Sequence, residues 1–374
     1  ADDARRDGDE ILAWLTIDHQ QSTIDHSRPS SELHLGLTAD LPSLSNSFGH
    51  AHAAAGLLHV AVAALCVHER MRLSAGADGA LLPAEPWLAD APRTACVQVD
   101  ALGSQSSQVS LHADHAGKSG FWNGSFHVFS GRDAAGLLHA LERNEESNTG
   151  PARLVIIAQG DTTFENQRSI ARNALARATV SHRPTVLAKG ITWSAAPLDG
   201  ELGFVFTPAA AAYQGMGREL LFALPELGDQ VVGKFPCLVR TQDWLSTVQR
   251  PASADPFQVL QGCALLSQLH ATLTQDWLGI KPDAVLGVSS GETNSMFATG
   301  AWHDMDAMFA EIDASGMYTR EIAGEYQAAR RAWQDRNPGP IEWAGWRALA
   351  PGARVEAALQ GEEFPPPTMI NAPA

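Results

Sequence analysis

Residues 284–292 read Ala-Val-Leu-Gly-Val-Ser-Ser-Gly-Glu, an apolar run that breaks at Gly287-x-Ser289-x-Gly291. Two readings compete for Ser289. It is either a nucleophile raised on a strand-to-helix turn, or a serine whose hydroxyl caps the helix that follows. The pentapeptide alone is short enough to recur by chance. Its setting favours the nucleophile. A run of strand length precedes it and a helical pattern follows. Gly287 and Gly291 permit a tight turn and a close helix–strand approach. A helix N-terminus beside the hydroxyl also favours negative charge developing there.

Working outward, the third region of the chain, residues 197–374, alternates strands and helices. "GFVF" (203–206) reads as a strand, followed by an Ala-rich turn and the helix-forming "GRELL" (217–221). "DPFQVLQGCALLSQLHATLTQDWLG" (255–279) reads as a long helix, with Asp255 as its cap and Pro256 in its first turn. This alternation predicts a mostly parallel sheet with helices on both sides. The second region, 119–196, gives strand "SFHVFSG", helix "RDAAGLLHALERN", strand "ARLVIIAQG" and helix "TTFENQRSIARNALARA", a small α/β module whose joint "EESNTGP" is a turn. The first region, 1–118, carries an Ala-rich helix around 51–66. It then carries the alternating runs "TACVQVDAL" and "SSQVSLHAD", joined by a turn at Gly103.

Composition narrows the function classes. The 374 residues are 45% hydrophobic and 18% charged, enough for two or three domains. A net charge of −16 argues against a nucleic-acid partner, which would demand a positive field. No apolar stretch has the length of a membrane span, and the charged "ADDARRDGDE" start is unlike a signal peptide. Cys66, Cys96, Cys237 and Cys263 form no CxxC pair, which fits a reducing cytoplasm and offers no zinc knuckle. His50 and His52, at i and i+2 without a nearby carboxylate or thiol, make a poor metal site. His59 and His68 are assigned to the faces of their helix. "ERNEE" (142–146) reads as a solvated helix end, and "REIAGEYQAARRAWQDR" (320–336) as an exposed amphipathic helix. Trp277, Trp302, Trp333, Trp343 and Trp346 read as core or subdomain-junction residues. Neither a phosphate-binding loop nor a dinucleotide fingerprint is present.

"GFVFTPAAAAYQGMGRELL" (203–221) and "GVSSGE" (287–292) resemble the opening strand, oxyanion loop and elbow of the acyltransferase domains of fatty acid and polyketide synthases. "VEAALQGEE" and "TMINAP" look like the start of that family's small inserted subdomain. Upstream, "NSFGHAHAAAGLLHVAVAALCVHER" (46–70) and "RTACVQVDALGSQSSQVSLHAD" (93–114) resemble the C-terminal part of a ketosynthase, and the α/β module resembles the linker between the two domains. The Ala-rich loop and the "SSGETN" elbow are most similar to the ketosynthase-acyltransferase subunit of bacterial polyunsaturated fatty acid synthases. The fold implied is α/β: an α/β-hydrolase-like parallel-sheet core preceded by a thiolase-like ketosynthase segment and the linker.

The resemblance implies that Ser289 accepts an acyl group from a thioester and passes it to a phosphopantetheine thiol, of an acyl carrier protein or of coenzyme A, with no bound cofactor. Hydrolysis at the same serine and a non-catalytic scaffold are the alternatives. The backbone amides of Ser290 and Ala209 would form the oxyanion hole, Ala209 standing where the family usually has glutamine and Val288 where it often has histidine. "EIDASGM" (311–317) lacks the arginine that clamps a malonyl carboxylate, and Arg320 is not placed in that role, so an uncharged acyl group is expected. His50 matches the family's Gly-His pair. With Ser45 in place of the usual lysine and no elbow cysteine, His50 is expected to be vestigial. The implied partners are a carrier protein, other synthase subunits and a second copy of the chain. Arg320, Arg330, Arg331 and Arg336 are candidates to meet an acidic carrier. The family's base is a histidine well downstream of the elbow, and only His303 follows Ser289. His270 is a substitute without a motif. The expectation is that the chain is an internal segment of a longer polypeptide, with the nucleophile but not its base.

Overall fold

The computed structural model describes residues 6, 11–18, 32–36, 44, 48–49, 54–74, 81–101, 105–113, 124–159, 161–177, 184–197, 200–213, 215–245, 255–332 and 350–359. Ser45, His50, His52, Trp333, Arg336, Trp343, Trp346 and the "TMINAP" segment lie outside the described residues. The chain forms two compact units, Ala1–Ala314 and Ser315–Ala374. It is a mixed α/β protein.

In the first region, β1 (Ala13–Asp18), β6 (Gln105–Ala113), β5 (Thr94–Ala101) and β2 (Glu32–Gly36) form one sheet in that order, and the short β3 (Met71–Arg72) and β4 (Glu85–Pro86) pair antiparallel. The alternating runs pair antiparallel from Thr94↔His112 to Ala101↔Gln105, as their period demands. Helix α1 (Ala55–His68) lies on this sheet, placing Ala63, Cys66 and Val67 against Leu33, Leu35, Val97 and Leu111. His59, 1% exposed, is a satisfied core histidine: its Nδ1 bonds Ala55 O at 2.7 Å, and its Nε2 accepts from the Leu44 amide at 3.2 Å. His68 is also buried.

The second region holds β7 (Gly124–Gly131), α2 (Ala134–Arg143), β8 (Ala152–Gln159), α3 (Asp161–Leu175), β9 (Thr185–Ala188) and β10 (Ile191–Ser194). Its sheet order is β7-β8-β10-β9 and every pairing is antiparallel. The strand–helix–strand order of the sequence does not reveal that. A helix between two strands permits either direction, and here β8 returns antiparallel to β7 after α2, with β10 antiparallel to β8. The inward residues Phe129, Leu154, Ile156, Ile191 and Trp193 form a second core with Leu137, Leu141 and Leu175 of the helices.

The third core gathers Leu221, Leu227, Val231, Leu265, Leu269, Phe297 and Phe309 from α4 (Arg218–Ala223), α5 (Pro225–Lys234), α6 (Pro256–Ala271), α7 (Ser290–Ala298) and α8 (Met305–Ser315), with Phe235 just after α5. Asp255 caps α6 by accepting from the Phe257 amide at 3.1 Å, with Pro256 in its first turn, as its sequence predicts. β11 (Gly203–Phe206) and β12 (Ala284–Gly287) pair in parallel. Among the described residues this sheet has two strands. Val205 and Leu286, opposite each other in register, are both exposed, so helical cover on both faces is not what these residues show. Trp277 and Trp302 are also exposed rather than core. Trp277 donates to Gln230 Oε1 at 2.7 Å, and Trp302 meets the edge of Phe297.

The first and third regions are joined by Leu88, buried in the third core, and by charge. Asp229 on α5 accepts from Arg93 Nη2 at 2.6 Å and from Arg70 Nε at 2.7 Å. Gln242 accepts from the Leu88 amide and donates to Pro86 O. In the second unit, Arg331 of α9 (Gln327–Ala332) pairs with Glu321, and α10 (Gly352–Leu359) follows. No described helix is long and apolar enough to cross a membrane.

Candidate active site

Ser289 sits between β12 and α7, at the N-cap position, with φ 56° and ψ −127° and no side-chain cap hydrogen bond. The amide of Gly291 bonds Val288 O at 3.0 Å, which closes a four-residue turn with Ser289 at its second position. A positive φ there suits glycine, and holding a serine in it costs about 1–3 kcal/mol. The surroundings enforce it. A Cβ on Gly287 would lie 2.2 Å from the Glu292 backbone, and one on Gly291 would lie 2.2 Å from Phe206 O. Both glycines are therefore required by close backbone approach, and the turn lifts Ser289 into an exposed position. The capping alternative is not realised, because the hydroxyl does not cap.

The loop after β11 reaches the elbow. The Val288 amide bonds Phe206 O at 3.1 Å, and Ala209, opening the 3₁₀ turn Ala209–Ala211, donates its amide to Ser290 Oγ at 2.8 Å. The two expected oxyanion residues are thus brought together beside Ser289. In this arrangement the Ala209 amide is engaged by the Ser290 hydroxyl, and a bound oxyanion would have to replace it. Beneath them lies Cys263 of α6, absent from the sequence-based site. Its Sγ approaches Thr207 O at 3.6 Å and accepts from Asn294 Nδ2 at 3.6 Å. Burial pushes its thiol pKa up, while hydrogen bonds from Ser290, Ser267 and Asn294 oppose the shift. No signal marks it in the sequence, since it is one of several small residues on a buried helix.

No family model matches the chain. Its curated relatives include polyketide synthases and a polyunsaturated fatty acid synthase. The chain is 37% identical to highly reducing polyketide synthase 40 of Fusarium mangiferae over 28% of its own length and 4% of that protein's. It is 24% identical to polyketide synthase GfsA of Streptomyces halstedii over 87% of its length and 5% of that protein's. It is 22% identical to one subunit of the polyunsaturated fatty acid synthase of a Thraustochytrium species, over 59% of its length and 12% of that protein's. The chain thus spans a small fraction of each. Among solved structures it is similar to the acyltransferase domain from module 8 of the salinomycin polyketide synthase, at 18% identity and TM-score 0.38, covering 57% of each chain.

Among the described residues, neither candidate base hydrogen-bonds Ser289. His303 follows the nine-residue α7, whose length carries it about 13 Å from the elbow, and its imidazole lies beside Gly300. His270 lies seven residues beyond Cys263, about 10 Å along α6. It lines a cavity of about 380 Å³ that also includes Thr207 and Cys263 near the elbow, with Phe204, Met216 and Thr274, and burial pushes its pKa down. Among the described residues no group of three or more His, Cys, Asp or Glu side chains could hold a metal.

Proposed function

We propose that this chain transfers acyl groups by a ping-pong route through Ser289, as part of a polyketide- or polyunsaturated-fatty-acid-type synthase. The observation that carries the reading is the strained Ser289: positive φ, exposed, between a parallel strand and a helix N-terminus, with no side-chain cap hydrogen bond that would make it a helix cap. Relatives among polyketide synthases support it. Ser289 Oγ attacks the carbonyl carbon of an acyl thioester, the C–S bond breaks, and the thiolate leaves with the hydroxyl proton as free thiol. A phosphopantetheine thiol, of a carrier protein or coenzyme A, then takes the acyl group back to sulfur. The amide of Ser290, and that of Ala209 once released from the Ser290 hydroxyl, stabilise the oxyanion in both steps.

Cys263 is the thiol beneath the turn, but it is 3% exposed and burial disfavours its thiolate, so the serine is the acceptor. The proposal divides the chain into a ketosynthase-like segment (1–118), a linker (119–196) and an acyltransferase segment (197–374). His50 is then a vestige of condensation chemistry, and pairing with a second copy runs through the first segment. The test is transfer from a radiolabelled butyryl thioester to a phosphopantetheinylated carrier. Label on the carrier supports transfer, free butyrate marks hydrolysis, and absence of both contradicts the assignment.

A further inference from the structure

A second serine is equipped for nucleophilic chemistry, away from the elbow. Ser125 and His127 are two residues apart on β7 and therefore share a face. His127 Nε2 lies 2.7 Å from Ser125 Oγ, and His127 Nδ1 lies 2.8 Å from Glu146 Oε1. Ser–His–carboxylate chains activate a hydroxyl with these distances and this assignment of the two ring nitrogens. The other partner of Ser125 Oγ, Ala158 O, is at 3.5 Å, the longer and weaker contact.

The local fold holds the carboxylate in place. Helix α2 ends at Asn144 in the left-handed conformation, and Glu145 returns its amide to Ala140 O at 2.9 Å. Ser147 then donates its amide to Val128 O at 2.9 Å, tying the loop to the outer edge of β7 beside His127. Arg143 occupies the Glu145 carboxylate at 2.6 Å, leaving Glu146 for the histidine. The imidazole is stacked on Phe164 of α3, with centroids 3.8 Å apart and planes at 23°. The His127 side chain is 18% exposed and that of Glu146 is 46% exposed, so the group opens to solvent.

We propose that Ser125 is a second nucleophile of this chain, activated by His127 and oriented through Glu146, and that it is acylated by thioesters. His127 Nε2 takes the Oγ proton as the oxygen bonds to the carbonyl carbon. The C–S bond then breaks, and the proton leaves with the thiolate as free thiol. The product is an O-acyl serine in the linker module, formed independently of Ser289.

The full chain carrying Ser289→Ala is treated with a butyryl thioester and, separately, with a fluorophosphonate, and the modified peptide is mapped. Both reagents should modify Ser125. Ser125→Ala should abolish the modification, and His127→Gln should slow it by about 10²-fold or more, the usual loss for a general base. Because His127 also packs on Phe164, thermal melting is recorded for each variant. The exposed Glu146→Gln, which keeps its shape, provides the second reading and should also slow modification. An unmodified Ser125, or modification at an unchanged rate in folded His127→Gln or Glu146→Gln, overturns the proposal. Reaction with the fluorophosphonate alone contradicts its thioester part.

Discussion

Ser289 concentrates what one residue reveals here. The Gly-x-Ser-x-Gly pattern announces a turn, but only the backbone angles and the missing cap bond separate a nucleophile from a helix cap. Gly291 is legible as a glycine that lets the helix approach the strand, and the structure names the atom it approaches. Gly291→Ala puts a methyl group against Phe206 O, and the expected cost is about 1–3 kcal/mol, read as a lower denaturant midpoint. The Ala209–Ser290 bond was not legible, because it joins residues 81 positions apart and depends on a hydroxyl rotamer. Nor could sequence place the base. Neither His270 nor His303 hydrogen-bonds Ser289, so His270→Gln and His303→Gln should each change the acylation rate less than about threefold. A fall of about 10²- to 10⁴-fold in either variant, measured under single-turnover conditions, would identify that residue as the base.

Elements were legible where their period was strong and their punctuation clear. The β5–β6 hairpin follows from two alternating runs around Gly103, and α6 from its Asp-Pro start. β9 and β10 were missed because each has four residues and the turn between them is only Lys189-Gly190. β1 and β2 flank a long polar stretch that gives no pairing signal. The first region meets α5 through Leu88, buried in the third-region core, and through single charges, which no periodicity reports. Arg93 is 5% exposed, and burial lowers its pKa while Asp229 opposes the shift. Asp229→Asn leaves Arg70 and Arg93 facing each other without their shared carboxylate. The expected destabilisation is about 2–3 kcal/mol, below that of a fully buried pair because Asp229 is a third exposed. Chemical denaturation measures it, and a change under about 0.5 kcal/mol would show that apolar packing alone joins the two regions.

For the molecule as a whole, the sequence conveyed the α/β class and the resemblance to large synthases, and the matched relatives include polyketide synthases. It did not convey which acyl group enters. With no arginine in residues 311–317, the proposal predicts that butyryl thioester outcompetes malonyl thioester in a mixture, measured by the mass of the acyl-enzyme. A malonyl adduct in excess would point to a carboxylate clamp elsewhere. The central claim, that the strain at Ser289 serves covalent chemistry, is tested most directly by peptide mapping after incubation of the wild-type chain and Ser289→Ala with a butyryl thioester. The account predicts slow butyrylation of the peptide containing Ser289 in the wild type, slow because no base reaches the hydroxyl, and none on that peptide in the variant, with the two chains melting alike. A wild-type chain whose 289 peptide stays unmodified, or a butyryl group on that peptide in Ser289→Ala, would contradict it.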